Sequence, residues 1–180
     1  MKTLQQIWDE SPIRSDKGDV HSYLPVYEEL LAPYRTKAKN ILEIGLFNGA
    51  SLVMWEQYFT GKVFGVDSDV KPHGGMADLT PMIEAGKHNI LILNAESPDE
   101  LYKYFNGVKF DVVIEDAAHN IEQQLKIYHN MKPYLNEGAI YIIEDVQSID
   151  DTRHLFWPGG EVIDRRKING RYDDVLVIFK

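Results

Sequence analysis

Apolar residues recur along this chain in short, nearly unbroken runs. Asn40 to Leu46 reads NILEIGL, and Lys62 to Val66, Asn89 to Leu93, Phe110 to Ile114 and Ala139 to Ile143 repeat the pattern. Each run is rich in Ile, Val, Leu or aromatics and too short for a helix. Continuous apolarity, rather than alternation, predicts strands buried on both faces, as in a parallel sheet. Helical spacing fills the gaps. Leu52, Trp55 and Phe59 share a face after Asn48-Gly49, and Leu101, Tyr104 and Phe105 follow Ser97-Pro98, a favourable helix start. Asn120 with Gln123 forms a capping-box pattern ahead of a stripe of Ile121, Leu125 and Tyr128. Pro133 predicts that this helix stops near Lys132.

The two ends differ from the middle. Residues 1–37 read as an N-terminal helical cap, with Leu24, Tyr27 and Leu31 on one stripe, expected to cover the carboxyl edge of the sheet. Glu161 to Lys167 and Asp174 to Lys180 are expected to form a hairpin turning near Asn169-Gly170. Strands alternating with helices predict an α/β fold: a doubly wound, mostly parallel seven-stranded sheet with an antiparallel C-terminal hairpin and helices on both faces. A single domain over residues 1–180, with its core at 38–180, is expected.

Composition narrows the chemistry. There are 28 acids against 19 Lys plus Arg, a formal charge of −9, which disfavours nucleic acid and anionic membrane as partners. With no cysteine, disulfides, thiolate catalysis and Cys-ligated zinc are excluded, so a metal needs oxygen or imidazole ligands. The first residues lack an apolar signal segment, and no apolar run approaches about 20 residues, so a cytoplasmic protein without a membrane span is expected. A homo-oligomer is compatible with all of this.

Four places carry candidate chemistry. The first is Glu43-Ile44-Gly45-Leu46-Phe47-Asn48-Gly49-Ala50-Ser51, an acid in a strand, a glycine at the turn and a second glycine opening a helix. Its glycines allow close backbone approach and its helix start offers free N–H groups. It is neither GxGxxG, since position 47 is Phe, nor a P-loop, so a pyrophosphate cradle is disfavoured. An acid in the strand suits a ligand with positive charge; the plain alternative is an ordinary tight turn. The second is Asp67, about 20 residues on at the end of the next strand, placed to accept hydrogen bonds from a ribose diol, or else a loop acid.

The third is Glu115-Asp116-Ala117-Ala118-His119-Asn120 and the fourth Glu144-Asp145, each where a strand meets the sheet's carboxyl edge. That edge is the ligand crevice of open α/β sheets. Asp116, Glu144 and Asp145 together would repel unless a cation neutralised them, and hard oxygen ligands suit Mg2+, Ca2+ or Mn2+. His119 is a fourth ligand or, preferably, a general base. Separately, the carboxylates are equally readable as solvated loop ends and His119 as a polar residue at a helix N-terminus.

Three other stretches read more plainly. Arg14 to Tyr23 is a polar loop, with a lid or substrate contact as the sharper reading through Tyr23 and Tyr27. Phe156-Trp157-Pro158-Gly159-Gly160 is a turn with core aromatics, and His73-Gly74-Gly75 a loop without a visible partner.

Glu43-x-Gly45-x-x-x-Gly49, Asp67, Asp116 and the C-terminal hairpin resemble class I S-adenosylmethionine-dependent methyltransferases, with their Rossmann-like sheet. The pattern is most similar to the metal-dependent sugar O-methyltransferases of macrolide biosynthesis, the mycinamicin and macrocin type, and to the cephalosporin-hydroxylase-like group. Asp116-Ala117-Ala118-His119 matches their Asp-x-x-His motif, and Glu144-Asp145 ends a similar strand. Ser15-Asp16-Lys17 and His21-Ser22-Tyr23 resemble their upstream Thr-Asp-Lys and His-x-Tyr segment. Ala118 stands for a usual Ser and Glu137 for a usual Gly.

The resemblance implies an S-adenosylmethionine-dependent O-methyltransferase acting on a hydroxylated small molecule such as a sugar, with Mg2+ or another hard divalent cation. It implies cofactor contacts at Glu43, Gly45, Asn48, Gly49, Ser51, Asp67 and Asp116, metal ligands at Asp116, Glu144 and Asp145, and catalysis by His119 with Asp116. The alternatives are an NAD(P)-dependent oxidoreductase and a non-catalytic nucleoside-binding module of the same architecture.

Overall fold

The structure, a computed structural model, describes residues 1–69, 71, 77–117, 119–152 and 159–180, apart from the side chains of residues 151 and 152. The expected His73-Gly74-Gly75 loop and most of the Phe156–Gly160 turn lie outside the described residues.

Seven strands form one sheet: β1 (Asn40–Ile44), β2 (Lys62–Asp67), β3 (Asn89–Ile92), β4 (Phe110–Glu115), β5 (Leu135–Ile143), β6 (Glu161–Asp164) and β7 (Val175–Phe179). Their order is β3-β2-β1-β4-β5-β7-β6, and only the pairings of β7 with β5 and β6 are antiparallel. The apolar runs read correctly because both sheet faces are covered. Ile41, Val112, Ile114, Ile140 and Ile142 pack under α1 (Leu4–Glu10), α2 (Leu24–Leu31) and α3 (Ala50–Tyr58), where Tyr27 and Trp55 are fully buried. Leu42, Ile44, Val113, Tyr141 and Ile143 face the other way, under α5 (Pro98–Phe105) and α6 (Ile121–Met131). A short α4 (Thr80–Glu84), not anticipated from the sequence, precedes β3. Among the described residues no helix is long and apolar enough to cross a membrane.

Several local expectations are refined. The N-terminal segment is α1 and α2 separated by a 3-10 turn at Asp16–Gly18 rather than one helical stretch. Asn120 caps α6 by accepting from the N–H groups of Glu122 and Gln123, but the Gln123 side chain donates to Glu96 instead of closing the box. Tyr104 is exposed, so the buried stripe of α5 is Leu101 and Phe105. The last two strands do pair, but Asn169-Gly170 is not their hairpin turn. After α7 (Ile149–Thr152), it ends α8 (Arg166–Asn169), with Gly170 at φ 73° as the left-handed cap. Asn-Gly serves both structures because both require positive φ.

The register sets the site. Ile44 pairs with Glu115, and Glu115 with Ile143. The Asp116 N–H donates to the Ile44 carbonyl and the Glu144 N–H to the Glu115 carbonyl, each continuing the ladder one step past a strand end. Acids distant in sequence therefore emerge side by side.

Gly45 permits this closeness. Its φ is +92°, and a Cβ there would lie 2.1 Å from the Asp116 carbonyl oxygen. Gly45→Ala is expected to cost about 3 kcal/mol or more, combining left-handed strain with a clash against backbone that cannot yield. Urea denaturation checks this; an unchanged midpoint would mean that the β1–β4 crossing tolerates a side chain.

Candidate active site

A cleft of about 470 Å³ opens at the carboxyl ends of β1, β2 and β4. Gly45, Phe47, Asp67, Asp116 and His119 line it, together with Asp16 from the N-terminal 3-10 turn. This volume lies in the range of small-molecule sites. Asp67 faces it while its Oδ2 accepts the Leu46 N–H at 2.9 Å, which fixes the carboxylate against the turn. Four expected cofactor residues, Glu43, Asn48, Gly49 and Ser51, lie elsewhere than on the cleft wall. Asn48 accepts from the Ala50 N–H, Ser51 is buried in α3, and Gly49 is packed where a Cβ would meet Met82 Sδ at 2.6 Å. Gly49 also has φ +75°, the left-handed region that glycine favours.

Glu43 is also drawn inward. Its carboxylate is fully buried, accepts from Trp55 Nε1 at 3.0 Å, and lies 3.8 Å from the Lys17 ammonium. Lys17 is the centre of the acidic edge. It is 1% exposed, and its Nζ lies 2.6 Å from Asp116 Oδ2 and 2.9 Å from Glu144 Oε1. The turn that aims it is tightly held: Trp8 Nε1 donates to the Ser15 carbonyl, and the Tyr23 N–H to the Lys17 carbonyl. Burial alone would lower the Lys17 pKa, but Asp116, Glu144 and Glu43 together raise it well above the usual ammonium value.

One lysine does not balance this set. Burial, reinforced by Asp116 and Asp145, pushes the Glu144 carboxyl well up against the pull of Lys17. Burial and Asp116 raise Asp145 to about 6, and burial raises Glu43 to about 7. Against Asp116, burial is outweighed by Lys17 and His119, which hold it down to about 2. The cluster has more carboxylates than cations.

The expected metal set separates into two faces. Glu144 points to the interior, where Tyr27 donates to Oε1 at 2.5 Å and Lys17 reaches both oxygens. Asp116 Oδ1, His119 Nε2 and Asp145 Oδ2 face one another, with His119 at 3.1 Å from the former and 3.6 Å from the latter. One ligand atom from each lies within 4.8 Å of the others, spacing that could hold an ion. Tyr23 secures Asp145 by donating to Oδ1 at 2.7 Å, and His21 lies behind it, 3.4 Å from the same oxygen. The residues thus fit a hard cation: two carboxylate oxygens, each with its partner oxygen already fixed, beside an imidazole nitrogen.

His119 is held at φ 44° and is 40% exposed on its side chain. Its hydrogen bond to Asp116, less the cost of burial, with the fields of Asp116 and Asp145, raises its pKa to about 9. Without a cation on those carboxylates it is protonated at neutral pH.

Sequence reasoning placed Asp116, His119, Asp145 and Asp67 at one edge, but read Lys17 as part of a polar loop. Its only signal was the resemblance of Ser15-Asp16-Lys17 to a family motif, because nothing in a mixed polar stretch marks a lysine as buried.

Two expectations follow. Lys17→Met should destabilise the protein by about 3–5 kcal/mol, since it leaves buried carboxylates uncompensated. Chemical denaturation at pH 7 measures this, and a loss of under about 1 kcal/mol would reduce Lys17 to an ordinary surface-type pair. The second concerns pH in the ion-free protein. His119 has a folded pKa raised above its unfolded value, so its stabilising contribution is present below pH 6.5 and is lost as pH rises through about 9. Wild type minus His119→Asn stability, compared from pH 6 to 10, should shrink across that window; a constant difference would contradict it.

Comparison with known proteins agrees with this geometry. A family described as a methyltransferase domain matches residues 42–146. The chain is 30% identical over 169 residues to an 8-demethyl-8-alpha-L-rhamnosyl tetracenomycin-C 2'-O-methyltransferase of Streptomyces olivaceus, covering 89% of this chain and 39% of that protein. It is 33% identical over 155 residues to an L-olivosyl-oleandolide 3-O-methyltransferase of Streptomyces antibioticus, covering 81% and 36%. It therefore spans less than half the length of these relatives. Among solved structures, the mycinamycin-pathway methyltransferase MycE in complex with Mg, SAH and mycinamycin VI superposes with a TM-score of 0.64 at 22% identity, over 80% of this chain and 39% of that one. The likeness to MycE bears on the fold; the matched family covers more than half of the chain, which belongs to the methyltransferase-domain family.

Proposed function

We propose that this chain is an S-adenosylmethionine-dependent O-methyltransferase, assisted by Mg2+ or another hard divalent cation, that methylates a hydroxyl of a small molecule, a sugar being the favoured class. The carrying observation is the grouping of Asp116 Oδ1, His119 Nε2 and Asp145 Oδ2 at a cleft that also presents Gly45 and Asp67. Membership of the methyltransferase family supports the cofactor, and relatives named as sugar O-methyltransferases support the acceptor class.

Each residue takes a role from its place. Asp67 accepts hydrogen bonds from a ribose diol at the cleft wall. Gly45 keeps the neighbouring wall free of side chain. Asp116 and Asp145 hold the cation through the oxygens that face His119. S-adenosylmethionine supplies, when bound, a methyl on a cationic sulfur, and a divalent cation lowers the pKa of a hydroxyl it ligates. His119 Nε2 accepts the hydroxyl proton, within reach of the same carboxylates. Glu43 neutralises Lys17 rather than meeting the cofactor directly. Holding acceptor and donor in line supplies much of the acceleration.

Calorimetry with S-adenosylmethionine should show binding, and labelled-methyl transfer to a panel of sugars and diols should stop after EDTA and return with Mg2+. No binding at millimolar cofactor would sink the whole reading; turnover that survives chelation would remove the cation alone. His119→Ala should lower kcat by about 100-fold or more while cofactor affinity holds.

A further inference from the structure

We propose that the amino edge of the sheet, opposite the cleft, is a docking face for an acidic helical segment of a partner protein. A partner seated there leaves the cleft open, so the inference stands independently of the proposed function.

The five parallel strands are entered through lysine. The segments leading into β1, β2, β3, β4 and β5, residues 32–39, 59–61, 85–88, 106–109 and 132–134, carry five lysines, Arg35 and no acid. Lys62, the first residue of β2, adds a sixth lysine. Lys37, Lys39, Lys62, Lys87, Lys109 and Lys132 are all exposed, and none forms an ion pair among the described residues. What contacts they make are uncharged. Lys62 and Lys132 lie over the rings of Phe64 and Tyr128, and Lys109 donates to the Pro133 carbonyl. Two nearby acids are already engaged. Asp111 accepts from the Lys39 and Asn40 N–H groups and from the Asn136 amide, and Glu56 pairs with His88 at 2.8 Å. Glu84 and Glu137, exposed beside the row, are too few to neutralise six lysines. In a chain of net charge −9 this edge is a patch of unneutralised positive charge.

Strand order sets these lysines in a row. Along β3-β2-β1-β4-β5 they follow as Lys87, Lys62, Lys39, Lys109 and Lys132, and a strand spacing of about 4.8 Å makes the row about 20 Å long. A helix of about 13 residues has that length, and acids three or four residues apart on it share one face. Beside Lys37 a hollow of about 280 Å³, lined by Pro33, Tyr34, Ala38 and Asp111, gives an anchoring side chain a place to insert. Other occupants fit less well. Phosphate recognition in nucleic acid favours the guanidinium fork of arginine, and Arg35, the one arginine in these segments, is already turned onto Tyr58, over its ring and donating to its carbonyl. A duplex would also run past the row onto a surface of net negative charge. A second copy related by a two-fold axis would set lysine against lysine.

The test follows the fluorescence anisotropy of a labelled helical peptide of about 15 residues, with Glu at every third or fourth position. It is titrated with wild type, with Lys39→Glu/Lys87→Glu and with Lys126→Glu/Lys167→Glu, a control pair of equal charge change away from the edge. Circular dichroism confirms folding, which the first pair should keep because neither side chain has a partner among the described residues. Wild type should bind at low ionic strength and release the peptide as salt rises. Lys39→Glu/Lys87→Glu should weaken binding by about tenfold or more, and the control pair by less than about threefold. Equal weakening by both pairs would mean attraction without a site and would overturn the inference, as would failure of wild type to bind. Tighter binding of an RNA duplex or of phosphatidylserine vesicles, lost in Lys39→Glu/Lys87→Glu, would assign the edge to another class of partner and overturn it too. So would salt-sensitive self-association in sedimentation that the same pair abolishes.

Discussion

A lysine ammonium at 1% exposure cannot remain in a protein interior without counter-charges, and here it finds three carboxylates from three adjacent strands. That pairing ties the N-terminal segment to the sheet. Lys17 lies 99 residues from Asp116 and 127 from Glu144 in sequence, so the contact closes most of the chain into a loop. Its converse matters as much. Glu43, Asp116 and Glu144 can be buried together only because a cation is built in beside them. Tyr27 of α2 and Tyr23 at its N-cap extend the arrangement, Tyr27 to Glu144 and Tyr23 to Asp145, so one short helix and its cap orient two acids.

The sheet supplies the geometry on which those charges act. Parallel pairing in register brings the ends of β1, β4 and β5 to a common level, and the backbone then continues one hydrogen bond further at Asp116 and Glu144. The successive residues Glu144 and Asp145 diverge at this point. Asp145 has φ 53°, a left-handed conformation that turns its side chain away from the direction taken by Glu144. The same chain segment thereby supplies one acid to the interior lysine and another to the cleft.

Much of this was legible in the sequence, for physical reasons. Strands buried on both faces have to be apolar throughout, so Ile41 to Ile44 or Ile140 to Ile143 stand out with a single acid, Glu43, as the exception. Acids immediately after such runs, as in Asp116 and Glu144-Asp145, could be assigned to the carboxyl edge because a strand's end fixes where the next residue emerges. The rest depended on partners remote in sequence. Arg14 to Tyr23 has the composition of a solvated loop, and only the carboxylates of β1, β4 and β5 make Lys17 an interior residue. The packing of Gly49 against Met82 could not be foreseen, because Met82 lies on α4, a helix of only five residues. Asn169-Gly170 signals positive φ, and the choice between helix cap and hairpin turn is made by how β6 and β7 are spaced.

Backbone strain points to the same place as charge. Among the described residues four non-glycine positions have positive φ, and three of them, Phe47, His119 and Asp145, belong to the cleft or the carboxylate pair beside it. Each such conformation costs on the order of 1–3 kcal/mol and persists only where surrounding contacts over-determine it. For Asp145 those contacts are Tyr23 and the neighbouring charges; for His119 they are its hydrogen bond to Asp116 and the capped start of α6. Lys17 fixes the other oxygen of Asp116, so the ammonium and the strained histidine act on the same carboxylate from opposite sides. Relaxing either backbone would break the facing arrangement of His119 Nε2 with Asp116 Oδ1 and Asp145 Oδ2. The strain is therefore best understood as the cost of holding those two oxygens toward His119 rather than toward solvent.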